Sequence, residues 1–118
     1  MVESKELVQK IAQACDDKHA ENIVILDMKN LSSVADYFII CHANNTRLVQ
    51  TIAKEVKDVV TEQEIDVHVE GANDSKWIVV EADGVLCHIF HRDERLYYNL
   101  ERLWGDAKQV PMQEVKES

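Results

Sequence analysis

The sequence predicts an α/β domain, a mixed sheet of about five strands packed between helices. Three observations carry this. Short β-branched runs, Ile23-Val24-Ile25-Leu26 and Tyr37-Phe38-Ile39-Ile40-Cys41, alternate with stretches whose apolar residues recur at helical spacing. An Asp83-Gly84 pair separates two further strand-like runs in the manner of a two-residue hairpin. Finally, 118 residues with 46% hydrophobic content, one proline and three glycines suit one compact core with few long loops.

Taken in order, Ser4 caps a first helix running to about Cys15, with Leu7, Val8, Ile11, Ala12, Ala14 and Cys15 as its apolar stripe. The Ile23–Leu26 run has the continuous apolar character of a central strand covered on both faces, and Tyr37–Cys41 repeats that signature. Asn44 and Asn45 are candidate caps for a long helix from about Thr46 to Gln63. Its buried stripe is Leu48, Val49, Ile52, Ala53, Val56, Val59 and Val60, while Lys54, Glu55, Lys57 and Asp58 face water. A short strand at Val67–Val69 leads into the loop Gly71–Ser75.

The hairpin comes next, with strands Trp77–Ala82 and Val85–Phe90. Two-residue closure sets Ala82 opposite Val85 and, counting outward, Trp77 opposite Phe90. One face then collects Ile78, Val80, Ala82, Val85, Cys87 and Ile89, which belong in the core. The other collects Trp77, Val79, Glu81, Leu86, His88 and Phe90, a mixed aromatic and polar set. That face either packs under a closing helix, about Asp93 to Trp104, or contributes a contact surface. Leu96, Leu100 and Leu103 mark the buried side of the closing helix, and Gly105 ends it. The expected organisation is one domain over residues 1–105 and a frayed tail over 106–118, with parallel crossovers and one antiparallel hairpin in the sheet.

Composition narrows the function. Thirteen Lys and Arg against 22 Asp and Glu give a net charge of −9, which disfavours direct nucleic-acid contact and suits a basic protein partner. The same charge also serves solubility alone. No apolar run approaches the roughly 20 residues of a membrane span, and the N-terminus lacks a signal-peptide pattern, so a soluble cytosolic domain without membrane contact is expected. Cys15, Cys41 and Cys87 are far apart in sequence and form no C-x-x-C, as reduced thiols do.

The residues offer little for bond chemistry. His19, His42, His68, His88 and His91 lack the spacing of a zinc site, so no metal is expected. There is no G-x-S-x-G elbow and no G-x-G phosphate loop, hence no catalytic residue and no cofactor. Glu81 and Asp83 alternate like paired metal-binding carboxylates, but the turn already accounts for Asp83. What remains is aromatic. Trp77 at a strand end reads as an interface anchor or, more often for that position, as a core residue, and Tyr97, Tyr98 and Trp104 share that ambiguity. Asp36 and Tyr37 either position a loop or touch a partner.

Four stretches carry a resemblance. Ser32–Cys41 (SSVADYFIIC), Glu70-Gly71, Trp77–Phe90 (WIVVEADGVLCHIF) and Arg95–Trp104 (RLYYNLERLW) closely resemble the ribosomal silencing factor family, also called RsfS, YbeB or Iojap. They occur in the family's order, and the likeness spans roughly Ser4 to Trp104. Members often carry a small glycine-containing turn where this chain reads His42-Ala43-Asn44-Asn45, so no role is carried over to that turn. The resemblance implies a nucleotidyltransferase-like fold without the catalytic residues. It also implies a cytoplasmic translation repressor that binds the fourteenth protein of the large ribosomal subunit, keeps the small subunit from joining under starvation or in stationary phase, and is a homodimer when free. On that basis Trp77 is the expected anchor of the ribosomal-protein interface, with Val79, Leu86, His88 and Phe90 around it and Asp36 and Tyr37 as further contacts. Arg95, Tyr98 and Trp104 are expected to hold the closing helix to the sheet. Two other functions compete with this reading: a minimal metal-dependent nucleotidyltransferase built on Glu81, and a dimeric assembly module for the large subunit.

Overall fold

The computed structural model describes residues 4–31, 33, 35–71, 76–93 and 108–110. Helix α1 (Ser4–Asp17) is followed by strands β1 (Glu21–Asp27) and β2 (Tyr37–Ala43), helix α2 (Thr46–Glu62), and strands β3 (His68–Glu70), β4 (Trp77–Ala82), β5 (Val85–His91) and β6 (Lys108–Val110). The strands form one mixed sheet in the order β3-β4-β5-β2-β1-β6. The α/β architecture is as expected, with one more strand.

The helices form where their local chemistry supports them. The Asn45 side chain accepts from the Leu48 amide at 2.8 Å, satisfying an otherwise orphaned donor at the start of α2. At the end of α1 the Ala20 amide reaches back to the Cys15 carbonyl and the His19 amide to that of Asp16, with His19 in the left-handed region at φ 66. This is the Schellman pattern, built on histidine where glycine would be unstrained. Val8, Ile11 and Cys15 of α1, with Val49, Ile52, Val56 and Val60 of α2, are fully buried. They pack on a single sheet face that supplies Ile25, Ile39, Cys41, Ile78, Val80, Val85, Cys87 and Ile89. Both described helices therefore lie on the same side of the sheet.

The hairpin register is as the two-residue turn requires, from Ala82 opposite Val85 to Trp77 opposite Phe90. Asp83 (φ 47) and Gly84 (φ 87) both lie in the left-handed region, as a type I′ turn demands. Two expectations are corrected. Among the described strands only β2 and β5 pair in parallel, and the other pairings are antiparallel. The link between β1 and β2, residues 28–36, is shorter than the dozen or so residues that a parallel crossover needs. Consequently β1 lies beside β2 with reversed direction, away from the sheet centre, and carries a bulge between Glu21 and Val24, where Asn22 adopts φ 49. The second correction is in the tail, where residues 108–110 are not frayed but pair with β1 as β6. A three-residue strand has too little alternation to be legible, and its partner specifies it. The expected closing helix, with Arg95, Tyr98 and Trp104, lies outside the described residues.

The strained cap gives a direct test. His19→Gly relieves the positive φ at the end of α1 and should raise unfolding stability by about 1 kcal/mol in urea denaturation. An unchanged or lowered stability would show that the His19 side chain compensates for its backbone.

Candidate functional site

The sheet face turned away from α1 and α2 carries the unusual residues. Strand pairing lays them out in cross-strand rows. Trp77, Phe90, His42 and Glu21 form one row; Val79, His88, Ile40 and Val24 form the next; Glu81, Leu86, Phe38 and Leu26 form the third. Leu26, Met28, Ile40 and Phe90 are its buried apolar bed, and Val24, Phe38 and Trp77 pack against them.

Aromatic rings organise this face. Trp77 stacks on Phe90 with centroids 5.0 Å apart and planes 25° from parallel. Phe38 meets the His88 ring edge-on at 4.8 Å. The Trp77 indole Nε1–H donates to His88 Nδ1 at 3.2 Å. This bond makes Nδ1 the acceptor, so the neutral ring carries its proton on Nε2. Nε2 itself is buried and has no hydrogen-bond partner among the described residues. Burial alone pulls the His88 pKa down to about 4, because an imidazolium in this apolar setting would be poorly solvated.

Trp77 is positioned from behind by Gly71, which follows β3. Gly71 has φ +83, and a Cβ there would overlap the Trp77 carbonyl, so only glycine lets the two backbones approach this closely. The Glu70-Gly71 pair singled out in the sequence thus supports the strand that begins at Trp77.

The structure brings together Trp77, Val79, Leu86, His88 and Phe90. Trp77, Val79 and Leu86 are half-buried, while His88 and Phe90 are 6% and 1% exposed. It does not bring Asp36 and Tyr37 to them. Tyr37 faces the helices, is buried, and accepts a hydrogen bond from Lys29 Nζ at 3.1 Å. Asp36 sits against the turn end of the hairpin, its amide donating to the Gly84 carbonyl at 2.7 Å, whereas Trp77 begins the opposite end of β4. The positioning role open to Asp36 is therefore the one its backbone performs. Sequence reasoning missed Phe38, Ile40, Leu26 and Met28. Only Phe38 had a signal, the alternation that separates it from Tyr37 and Ile39.

The remaining chemistry lies elsewhere. Glu81 is exposed, Asp83 is committed to the turn, and among the described residues neither joins a group of three potential metal ligands. Cys15, Cys41 and Cys87, distant in sequence, converge in the core on the helix-bearing face, with all three sulfurs within 4.8 Å of one another. The Cys15 and Cys87 sulfurs are 3.7 Å apart, and no disulfide joins them. Hydrogen bonding to Cys41, then to Cys87, and burial push the Cys15 thiol well above its ordinary pKa. At Cys87 the contact with Cys15 acts in the opposite sense and is outweighed by Cys41 and burial. Among the described residues no helix is long and apolar enough to cross a membrane.

Comparison with known proteins agrees with this architecture. The family model described as "Ribosomal silencing factor during starvation" (RsfS) matches residues 1–118. The chain is 52% identical over 104 residues to the ribosomal silencing factor RsfS of Bacillus subtilis, covering 87% of this chain and 88% of that one. A crystal structure from Bacillus halodurans superposes with a TM-score of 0.81 at 44% identity, covering 92% of this chain and 99% of the other. A Chromobacterium violaceum structure gives a TM-score of 0.86 at 28% identity, over 98% and 95% of the two chains.

The buried histidine makes a pH prediction. Its folded pKa, about 4, lies below the ordinary 6.5, so the stability it contributes is fully present above pH 6.5 and is lost as pH falls toward 4. Unfolding stability should decline over that window by an amount on the order of 3 kcal/mol from this group. An NMR titration of the His88 ring with a midpoint near 6.5 would contradict the burial argument.

Proposed function

This chain belongs to the ribosomal silencing factor (RsfS) family, and from that premise we propose that it binds the fourteenth protein of the large ribosomal subunit and blocks joining of the small subunit. Family membership is the observation that carries the reading. The factor acts by occupying volume at the joining face and makes or breaks no bond. Its setting is the cytoplasm, under nutrient limitation or in stationary phase, and its contacts are with protein more than with RNA.

The aromatic face supports this. A contact that discriminates one ribosomal protein needs a few rigid anchors within a polar rim. Trp77 offers such an anchor, since its ring is held by stacking on Phe90 and by the bond to His88 while remaining half-buried. Little side-chain entropy is left to lose when a partner covers it. Val79 lies beside it and Leu86 two rows farther along the same face as the apolar surround, and Glu81 and Glu70 supply exposed carboxylates. With a net charge of −9, the protein is steered toward a basic partner. When free, the factor pairs with a second copy of itself through a surface that partly overlaps this one, since a patch able to hold a ribosomal protein is costly to leave in water.

Sucrose-gradient sedimentation tests the proposal. Added protein should comigrate with the large subunit and diminish the monosome peak without any nucleotide. Trp77→Ala, checked for folding by denaturant titration, should weaken large-subunit binding by about 2 kcal/mol, or roughly thirtyfold. Subunits that join normally at saturating protein would refute silencing, and a folded Trp77→Ala protein that binds normally would remove Trp77 from the interface.

A further inference from the structure

We propose that Cys15, Cys41 and Cys87 form a binding site for a single soft, thiophilic d10 metal ion of the copper(I) class. The three sulfurs come from separate elements, the last turn of α1 and the neighbouring strands β2 and β5. Strand register makes the two strand cysteines diagonal neighbours, Cys87 opposite Ile39 and Cys41 opposite Ile89, and both point to the face on which α1 lies. Helix α1 then sets Cys15 above them. The result is a compact triangle, with all sulfurs within 4.8 Å and the Cys15–Cys87 edge at 3.7 Å.

That spacing is the contact distance of packed thiols and is also close to the geometry a bound ion needs. Metal–sulfur bonds of about 2.3 Å, as in zinc thiolates, place three sulfurs around a central ion about 4 Å apart. The triangle therefore needs only small side-chain adjustments to close on an ion. The donor set selects the ion. Thiolates favour soft metals, and hard cations such as magnesium or calcium require oxygen ligands. Zinc takes four ligands in structural sites. Here three donors converge, no other His, Cys, Asp or Glu among the described residues joins them, and all three cysteines are 0% exposed, leaving no solvent to complete a tetrahedron. A three-coordinate d10 ion is the remaining match.

Each ligating thiol gives its proton to solvent as the sulfur–metal bond forms, with no change of oxidation state. The site is on the opposite sheet face from Trp77 and stands independently of the ribosomal reading.

The experiment is an anaerobic titration of the reduced full-length protein with copper(I), buffered by a competing chromophoric chelator. One equivalent should be taken up with a new near-ultraviolet thiolate-to-metal band, the aromatic near-ultraviolet circular dichroism retained alongside it, and a raised Tm. Cys41→Ser and Cys87→Ser should each weaken uptake by at least about a hundredfold, since even outer-shell changes cost ten- to a hundredfold. Cys15→Ala, a change to a good helix former, supplies a third variant in case a buried serine unfolds the sheet. No uptake by the native protein would overturn the site, as would equal uptake by a folded cysteine variant, or binding only with loss of the near-ultraviolet signal.

Discussion

The Gly84 carbonyl accepts from the Asp36 amide at 2.7 Å and from the Tyr37 amide at 3.2 Å, tying the start of β2 to the turn between β4 and β5. This clasp fixes the only parallel pairing among the described strands, Tyr37 opposite Val85 through Ala43 opposite His91. A slip of one residue would turn every side chain of β2 to the wrong face. Tyr37 would leave the helix side, Phe38 would lose the His88 ring, and Cys41 would leave the sulfur triangle. The type I′ turn presents that carbonyl because Asp83 and Gly84 accept positive φ. A Cβ at Gly84 would also press within 3.1 Å of Asp36 Oδ2, so the same glycine serves the turn and the clasp.

From this register follow two sheet faces of different character. The helix-bearing face is aliphatic and sulfur-rich, with Ile25, Ile39, Val80, Val85 and Ile89 fully or almost fully buried under α1 and α2. Its role is cohesion, where each large side chain removed from water contributes roughly 1.5–3 kcal/mol. The other face places a histidine among aromatic rings. Keeping His88 neutral there costs stability at low pH and leaves Nε2 without a partner among the described residues. In return the Nδ1 lone pair holds the Trp77 indole, which links a destabilising residue to the presentation of the half-buried ring. A site residue retained against stability is a common mark of function over packing.

Much of this was legible in the sequence, because the strongest signals are local. Asp83-Gly84 specified the hairpin register residue by residue, and with it the partition of Trp77, His88 and Phe90 from Val80 and Cys87. Asn45 and the stripe from Val49 to Val60 specified α2. The rest depends on contacts between distant segments, which periodicity does not encode. The place of β1 beside β2 follows from a link too short to cross over, and β6 exists only through β1. Phe38 and Ile40 enter the aromatic face through the β2–β5 pairing. Likewise, the cysteines looked unrelated at positions 15, 41 and 87, and a helix crossing two strands brings them together.

The central claim is that the face bearing Trp77, and not the helix-bearing side, meets the ribosome. Hydroxyl-radical footprinting of the factor, free and bound to purified large subunits, measures this side chain by side chain. Bound protein should show protection at Trp77, Val79 and Leu86, with labelling of the exposed surface of α2, including Lys54 and Lys57, unchanged. Protection concentrated on α2, with Trp77, Val79 and Leu86 labelled as in the free protein, would contradict the account.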